Sequence, residues 1–325
     1  MILDDILAHK RHEVAASMRQ RSLDSVRSEA FRQPTPRPFG AKLRATTGTP
    51  ARLIAEIKRR SPSAGAMATV PDPVILARTY EANGASAIST LTDGHFFGGS
   101  LDDLRAVSQA VTIPVLRKDF LFTEYQLWEA RAAGADAALL IVAALASPLA
   151  TPGNADELDQ PIGHGDPDLD TASERLAHLL GVARGVGLEI LVEVHDEAEA
   201  AVALSVNAAV IGINNRDLRT FITTLDATER VALRLPRGTN GPVIVSESGL
   251  HDHTAVERVR MAGAHAILVG EALVRAPDIG AKVREMSGTA LMPGASAAHG
   301  VDQSSSAPPA KRIAVRGGGM GGNPA

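Results

Sequence analysis

One junction recurs along this chain. A helical segment ends at Gly or Asn, and a run of aliphatic or β-branched residues follows directly. The four copies are ANGASAISTL (82–91), RAAGADAALLIV (131–142), LSVNAAVIGI (204–213) and MAGAHAILVG (261–270). Gly and Asn tolerate the left-handed backbone that closes a helix, so each copy predicts a helix end followed by a buried strand. The closing residues are Gly84, Gly134, Asn207 and Gly263.

Extending this repeat along the chain gives eight candidate strands. They lie near 53–58, 86–91, 114–119, 136–142, 188–194, 209–214, 242–247 and 266–270. Nearly continuous apolar strands separated by helices are typical of a parallel sheet covered by helices. Eight such units predict an α/β fold, a single closed (β/α)8 TIM barrel. An open doubly wound sheet is the structural alternative.

Three stretches lie outside the repeat. Residues 1–48 predict an N-terminal helical extension, with a helix in DDILAHKRHEVAASMRQR, that could cover one end of the barrel. The barrel is then expected over 49–286. Within it, the Pro-, Gly- and Asp-rich residues 148–172 predict a long loop on the catalytic side, either a disordered insertion, which we expect, or a mobile lid. The small and polar residues 287–325 predict a disordered tail.

Composition limits the possible chemistry. The 325 residues include no Cys, which excludes disulfides, thiolate metal sites and a Cys nucleophile. A net charge of -4 gives no general reason to expect a nucleic-acid partner, and no signal peptide or apolar run of membrane length is recognisable. We therefore expect a cytoplasmic protein, a monomer or weak homo-oligomer, that acts on a small molecule and on neither nucleic acid nor membrane.

Charged residues occupy strands that should be apolar. Glu56 and Lys58, in IAEIKRRSPS, are two positions apart and so point to the same side of the first strand, and Lys118 lies in VLRKDF on the third. Such charges are costly on buried strands unless they are paired or used. Ligand-binding side chains of a (β/α)8 barrel lie at the carboxyl ends of its strands, where all three residues are expected.

Later strands end in polar residues as well. These are Glu193 in LEILVEV, Asn214 and Arg216 in IGINNRD, and Glu247 and Ser248 in VIVSESG. Any one of them could be a solvated group, a structural ion pair or a turn residue. Their coincidence at one end of the barrel favours a binding site, which Phe97 and Phe120, just beyond two strand ends, could complete by flanking an aromatic ligand.

Glycine-containing loops predict an anion site at the same end. Gly249 and Gly270 follow the last two strands, where such barrels commonly bind phosphate, and Ser61 could add a hydroxyl. The alternative is that these glycines only form tight turns. The histidines near strand ends have no evident ligand partners, so we expect solvated loop residues and no metal. They are His195, His251 and His253.

Five motifs together resemble the indole-3-glycerol-phosphate synthase family. In chain order they are IAEIKRRSPSAG, VLRKDF, LVEVHDE, IGINNRDL and VSESGL, and the resemblance covers about residues 1–285. It implies a (β/α)8 barrel of tryptophan biosynthesis without metal or organic cofactor. The implied substrate is a small phosphorylated aromatic-amine sugar, 1-(2-carboxyphenylamino)-1-deoxyribulose 5-phosphate, which loses carbon dioxide and water to give indole-3-glycerol phosphate.

The resemblance also implies roles for the polar residues. Ring closure needs a cation at the developing oxyanion, which makes Lys118 the leading general acid, and Glu193 is the implied base. Lys58 is a second acid or the partner of the substrate carboxylate, and the division of steps between the two lysines stays open. The remaining roles are orientation of the lysines by Glu56, binding of a substrate hydroxyl or amine by Asn214, completion of the polar network by Glu247 and Ser248, and binding of carboxylate or phosphate by Arg216.

This chain departs from the family pattern in two places. VGEAL puts Glu271 beside the expected phosphate, and because an inward carboxylate would repel phosphate we predict that Glu271 points away. The 148–172 loop is longer than the usual connection. Phosphoribosylanthranilate isomerase and other phosphate-binding barrels share the anion site, but isomerisation would not explain the paired acid and base residues. A catalytically silent phosphosugar-binding or scaffold protein that retains the fold is the other competing function.

Overall fold

The computed structural model describes residues 2–46, 48–61, 65–66, 72–162, 168–217 and 222–289. Eight parallel strands pair in sequence order and the last pairs with the first, which closes the barrel. They are β1 Arg52–Ile57, β2 Ala87–Leu91, β3 Val115–Lys118, β4 Ala137–Ile141, β5 Glu189–Val194, β6 Val210–Asn214, β7 Val243–Glu247 and β8 Ala266–Val269. The predicted (β/α)8 barrel is confirmed, and the open sheet is wrong.

Helices cover the outside of the barrel and precede its first strand. Before β1 lie α1 Ile2–Gln20, α2 Leu23–Phe31 and α3 Phe39–Leu43. The helices that follow β1 are α4 Pro73–Ala82, α5 Leu101–Ala110, α6 Glu124–Ala132, α7 Val142–Ala146, α8 Ala155–Leu158, α9 Leu169–Val186, α10 Glu197–Ser205, α11 Asp226–Ala232, α12 His253–Ala262, α13 Glu271–Val274 and α14 Ile279–Ser287. Arg60–Ser61 and Gly65–Ala66 form a short antiparallel pair.

The backbone at the recurring junctions is left-handed, as their sequence predicts. The φ angles are 104° at Gly84, 87° at Gly134, 55° at Asn207 and 116° at Gly263. Side-chain caps start several of the helices that follow the strands. At the start of α6, for example, Thr123 forms a capping box with Gln126. These local signals explain why the predicted strand boundaries agree so closely with those of the structure.

Helix α1 is fixed to the carboxyl end of the barrel by a buried ion cluster. Lys10 is on the buried face of α1, and its Nζ lies 2.8 Å from Asp93 Oδ2 and 3.0 Å from Asp119 Oδ1. The two carboxylates follow β2 and β3. Burial would by itself raise the pKa of Asp119, but Lys10 and then Arg117 outweigh it and hold that pKa far below its usual range. The extension therefore covers one end of the barrel, as expected.

The 148–172 loop differs from the expectation of a disordered insertion wherever the structure describes it. Pro148–Ala150 form a 3-10 turn, and α8 begins with a capping box between Asn154 and Glu157. Leu158 is fully buried. The guanidinium of Arg11, on α1, donates to the carbonyl oxygens of Leu149 at 3.2 Å and Glu157 at 2.9 Å. These anchoring contacts could not be predicted from composition. Residues 163–167 lie outside the described residues.

Two further sequence predictions concern chain organisation. The predicted tail lies outside the described residues from position 290 onward, so the division into extension, barrel and tail stays a prediction. Over the part of the chain that is described, no helix has the length and apolar character needed to cross a membrane.

Replacing Lys10 by Met should destabilise the protein strongly. Met is almost as long as Lys, but the substitution takes the ammonium away from the buried Asp93 and leaves Asp119 with Arg117, 3.3 Å away, as its cation. We expect a loss of about 3 kcal/mol in the free energy of unfolding at pH 7, measured by urea denaturation. Lys282→Met, which removes a pair with Glu285 on the surface of α14, is the control and should cost under about 1 kcal/mol. Equal stability of the two variants would contradict the role of the cluster.

Candidate active site

A cavity opens at the carboxyl ends of the strands, and it gathers nearly all the residues that the sequence singles out. Those in its wall are Glu56, Lys58, Phe97, Lys118, Phe120, Glu193, Asn214, Arg216, Glu247, Ser248, Gly249 and Gly270. The side chain of Ser61 lies outside the described residues. The structure thus brings the candidates together, while their individual roles stay predictions.

Lys118 lies at the centre of a buried cluster of charges. Its Nζ is 2.8 Å from Glu193 Oε2 and 3.3 Å from Glu247 Oε2. Burial would by itself lower the pKa of Lys118, but the charges of Glu193, Glu247 and Glu56 outweigh it and raise that pKa. Lys118 is therefore an ammonium group at neutral pH.

The two carboxylates beside Lys118 have different proton affinities. Burial would raise the pKa of Glu193, but Lys118 and then His195 outweigh it, so the pKa is lowered. Burial raises the pKa of Glu247 to about 7, opposed by Lys118 and reinforced by the charge of Glu193. One member of the pair is an ionised carboxylate, and the other takes up a proton near neutrality. Unequal carboxylates of this kind are how one site provides both acid and base.

Four charged residues come from alternate strands. Glu56, Lys118, Glu193 and Glu247 belong to β1, β3, β5 and β7, and side chains from alternate strands share a layer in such barrels. Here the layer nearest the cavity mouth is charged instead of apolar. A second ion pair joins Lys58 Nζ to Glu56 Oε1 at 2.9 Å.

Glycines of the intervening strands make room for these carboxylates. A Cβ at Gly212, in β6, would lie 2.0 Å from Glu247 Oε1, and one at Gly270, directly after β8, would lie 2.6 Å from Glu56 Oε1. Gly270 therefore has a second use besides the predicted approach to phosphate. Sequence reasoning missed Gly212, although a glycine inside a strand is a recognisable sign of close approach.

Two asparagines at the end of β6 orient the site. Asn214 Nδ2 donates to Glu193 Oε1 at 2.9 Å, and its Oδ1 accepts from the backbone N–H of Arg216 at 3.0 Å. Asn215 Nδ2 donates to the carbonyl oxygen of Ser248 at 3.1 Å. The first asparagine fixes a carboxylate, and the second ties the end of β6 to the loop after β7.

Apolar side chains form one side of the cavity. The rings of Phe97 and Phe120 have centroids 6.1 Å apart and are inclined by 36°. Ile2, Leu3 and Ile6 of α1 contribute to the same cavity, which sequence reasoning missed. An aromatic ring fits such surroundings. The helical extension is thus part of the site and not only a cover.

The loop after β7 has an unusual backbone. Ser248 has φ 66° and Gly249 has φ 77°, and a Cβ at Gly249 would lie 2.8 Å from Thr223 Cγ2. Left-handed φ at a non-glycine residue such as Ser248 is strained and is characteristic of functional sites. Glu271 also borders the cavity, with its carboxylate 3.0 Å from Nε of Arg275, the residue that follows α13. That it points away from bound phosphate stays a prediction.

The three histidines differ in their exposure to solvent. His251 is exposed at the cavity rim and His253 is partly exposed. The expectation of a solvated loop residue is wrong for His195, whose side chain is only 12% exposed and lies 3.0 Å from Glu199 Oε2 through Nδ1. The i,i+4 spacing of His195 and Glu199 could have indicated this contact. Within the described ranges, no group of three His, Asp or Glu side chains is placed to hold a metal.

A comparison with known families decides the relationship. The family model described as Indole-3-glycerol phosphate synthase matches residues 3–153 and 170–286. The chain belongs to the indole-3-glycerol phosphate synthase family. Residues 154–169, which contain α8, are not matched. The longer connection expected from the sequence is therefore an insertion relative to the indole-3-glycerol phosphate synthase pattern.

Individual relatives carry the same name. Indole-3-glycerol phosphate synthase from Roseiflexus sp. (strain RS-1) is 47% identical over 88% of this chain and 98% of its own length. The one from Kineococcus radiotolerans is 44% identical over 85% of this chain and 91% of its own. Among solved structures, thiamine phosphate pyrophosphorylase from Pyrococcus furiosus is 16% identical with a TM-score of 0.48, over 72% of this chain and 93% of that one.

Compared with the unmodified protein, the Glu247→Gln variant should be relatively more stable at pH 8 than at pH 5. Because the pKa of Glu247 rises from 4.5 to about 7 on folding, the folded state binds more protons than the unfolded one. The unmodified protein therefore loses stability from this group as pH rises through that range. Gln carries no such charge, so the stability difference between variant and unmodified protein should grow by roughly 1–3 kcal/mol from pH 5 to pH 8.

Urea unfolding at the two pH values measures this difference. The control is Glu257→Gln on α12, since Arg260 lowers the pKa of Glu257 and its carboxylate stays ionised across the range. A stability difference for Glu247→Gln that does not change with pH would show that this carboxyl group does not titrate near neutrality.

Proposed function

We propose that this protein is an indole-3-glycerol-phosphate synthase that closes the ring of 1-(2-carboxyphenylamino)-1-deoxyribulose 5-phosphate and then removes carbon dioxide and water. The observation that carries the proposal is a buried ammonium between two carboxylates of unequal proton affinity, Lys118 between Glu193 and Glu247. The apolar wall beside it suits the aromatic ring, and the loops after β7 and β8 suit the phosphate.

Ring closure is the step assigned to Lys118. The ring carbon that bears the carboxylate attacks the ribulose carbonyl, and negative charge develops on the carbonyl oxygen. An ammonium held in this cavity stabilises that oxygen far better than water does, because it is already in place and is largely shielded from solvent. The ammonium can also transfer its proton to the oxygen, which becomes the hydroxyl group that later leaves as water.

The remaining steps require a base and a second acid. Loss of carbon dioxide restores a neutral intermediate, from which Glu193 removes the ring-amine proton as the hydroxyl departs. A proton of the adjacent CH2 group then moves to the nitrogen, which completes the indole. Glu193 suits this role because its lowered pKa keeps it ionised. Lys58, paired with Glu56 at the edge of the same cavity, protonates the departing hydroxyl or holds the substrate carboxylate.

Other residues position the substrate. Asn214 holds Glu193 and a substrate hydroxyl or amine, and Phe97 and Phe120 flank the ring. Arg216 meets the carboxylate or the phosphate. The phosphate lies against Ser248, Gly249 and Gly270, with Ser61 as a further donor. No metal or organic cofactor takes part in this scheme.

The proposal extends to the setting of the enzyme. The substrate is a small phosphosugar, and neither nucleic acid nor membrane is a partner. We place the protein in the cytoplasm as a monomer or weak homo-oligomer. A chain without Cys and with a net charge of -4 suits that setting.

Substitution of the proposed acid and base should abolish most of the activity. With the carboxyphenylamino-deoxyribulose phosphate as substrate, Lys118→Ala and Glu193→Gln should each lower kcat by about 10²–10⁴-fold in an assay of indole-3-glycerol phosphate formation. Lys282→Ala and Glu257→Gln are matched surface controls that should retain full activity.

Two outcomes would contradict the assignment. If the folded, unmodified protein forms no indole product, the synthase proposal fails, and a silent phosphosugar-binding protein becomes the better account. If Lys118→Ala retains full activity, the protein can still be a synthase, but its leading acid is a different residue.

A further inference from the structure

His195 is a buried titratable group that the proposed reaction does not use. It follows β5 directly and is two positions beyond Glu193. Its Nε2 lies 3.5 Å from Glu193 Oε1 and has no hydrogen-bond partner among the residues that the structure describes. Its Nδ1 lies 3.0 Å from Glu199 Oε2. The ring therefore lies between two carboxylates, one of them the proposed base.

Glu199 is itself held firmly. It lies in the first turn of α10, where the carboxylate of Asp196 caps the helix and accepts from the backbone N–H of Glu199 at 2.9 Å. Glu199 Oε2 also accepts from the backbone N–H of His195 at 2.9 Å. The carboxylate thus contacts both the ring and the main chain of His195, which fixes the orientation of the imidazole.

These surroundings favour the charged form of the ring. Burial would by itself lower the pKa of His195, but the hydrogen bond that the ring donates to Glu199 and the charges of Glu193, Glu199 and Glu247 outweigh it and raise that pKa. The charged groups facing the ring thus come from β5, α10 and β7. On β3, Lys118 is bound to the other oxygen of Glu193. An imidazolium carries a proton on both nitrogens, so one N–H serves Glu199, and the nitrogen that bears the other lies 3.5 Å from Glu193 Oε1.

The proposed reaction requires a second positive charge near Glu193. In the free enzyme, Lys118 is the chief neighbour that keeps Glu193 ionised. Once Lys118 turns to the developing oxyanion of the substrate, a carboxylate this deeply buried would take up a proton unless another cation remained. Asn214 donates to Glu193 Oε1 at 2.9 Å, but its amide is neutral. His195 is the cationic neighbour that remains.

We propose that His195, held by Glu199, is a positioning residue whose imidazolium keeps Glu193 ionised and fixed in orientation while Lys118 serves the substrate. The inference rests on the proposed function, in which Glu193 is the base. His195 itself transfers no proton to the substrate. Its contribution is a charge placed on the side of Glu193 that faces away from Lys118.

His195→Gln tests this charge directly, because the Gln amide can donate to Glu193 but is neutral. The acid limb of the kcat profile reports the base in the enzyme–substrate complex, in which Lys118 serves the substrate, and it should move to higher pH by about one unit. Glu199→Gln should move it in the same direction by less, since the ring remains. KM should change little in either variant. His178→Gln, which removes an exposed pair with Glu124 at 2.8 Å, is the matched control and should leave the profile unchanged.

A second measurement needs no turnover. In protein with ¹⁵N-labelled histidine, the ring signals that disappear in His195→Gln belong to His195. They should have the shifts of an imidazolium at pH 7 in the free enzyme, and Glu199→Gln should lower the pH at which the ring becomes neutral. A neutral His195 ring at pH 7, or an unchanged kcat profile in His195→Gln, would overturn the inference.

The outcome can be separated from that of the proposed function by Glu193→Gln. If Glu193→Gln retains full activity, Glu193 is not the base and the proposed function loses that assignment together with this inference. If Glu193→Gln is inactive while His195→Gln keeps the profile of the unmodified enzyme, only the role of His195 fails. Should His195→Gln not fold, the profile and the ring signals of Glu199→Gln decide the question.

Discussion

The structure depends on how a buried ammonium group is neutralised. Lys118 can be buried only because Glu193 and Glu247 lie within ion-pair distance of its Nζ. These three residues are far apart in the chain, on β3, β5 and β7, and they meet only if the barrel closes. The apolar core stabilises that closure, and Gly212 makes it possible for Glu247 to enter the layer. Closure of the barrel and the proposed chemistry therefore depend on the same contacts of Lys118.

The N-terminal extension is fixed at the cavity by the same kind of interaction, a Lys side chain neutralised by carboxylates. Lys10 is neutralised by Asp93 and Asp119 at the ends of two strands, which places the start of α1 against the cavity. Arg11, next to Lys10, then binds the main chain of the 148–172 loop. An insertion that the family pattern lacks thus contacts a helix that forms part of the site.

Much of this arrangement can be predicted from sequence, because a strand's side-chain period and its end are local properties. They place Glu56, Lys118 and Glu193 at one end of the barrel without any knowledge of distances. Contacts between remote segments are not local, so the partners of Lys10 and the anchoring of the 148–172 loop could not be read in advance. His195 is an intermediate case: its spacing to Glu199 is visible in the sequence, but its burial depends on how α10 packs.

The crystal structure of the unmodified protein with a substrate analogue that lacks the ring carboxylate, and so cannot lose carbon dioxide, tests the central claim most directly. The account predicts the ribulose carbonyl oxygen within hydrogen-bond distance of Lys118 Nζ, about 2.7–3.2 Å, with the aromatic ring between Phe97 and Phe120. A carbonyl oxygen bound by Lys58 instead, with Lys118 still paired only to Glu193 and Glu247, would contradict it.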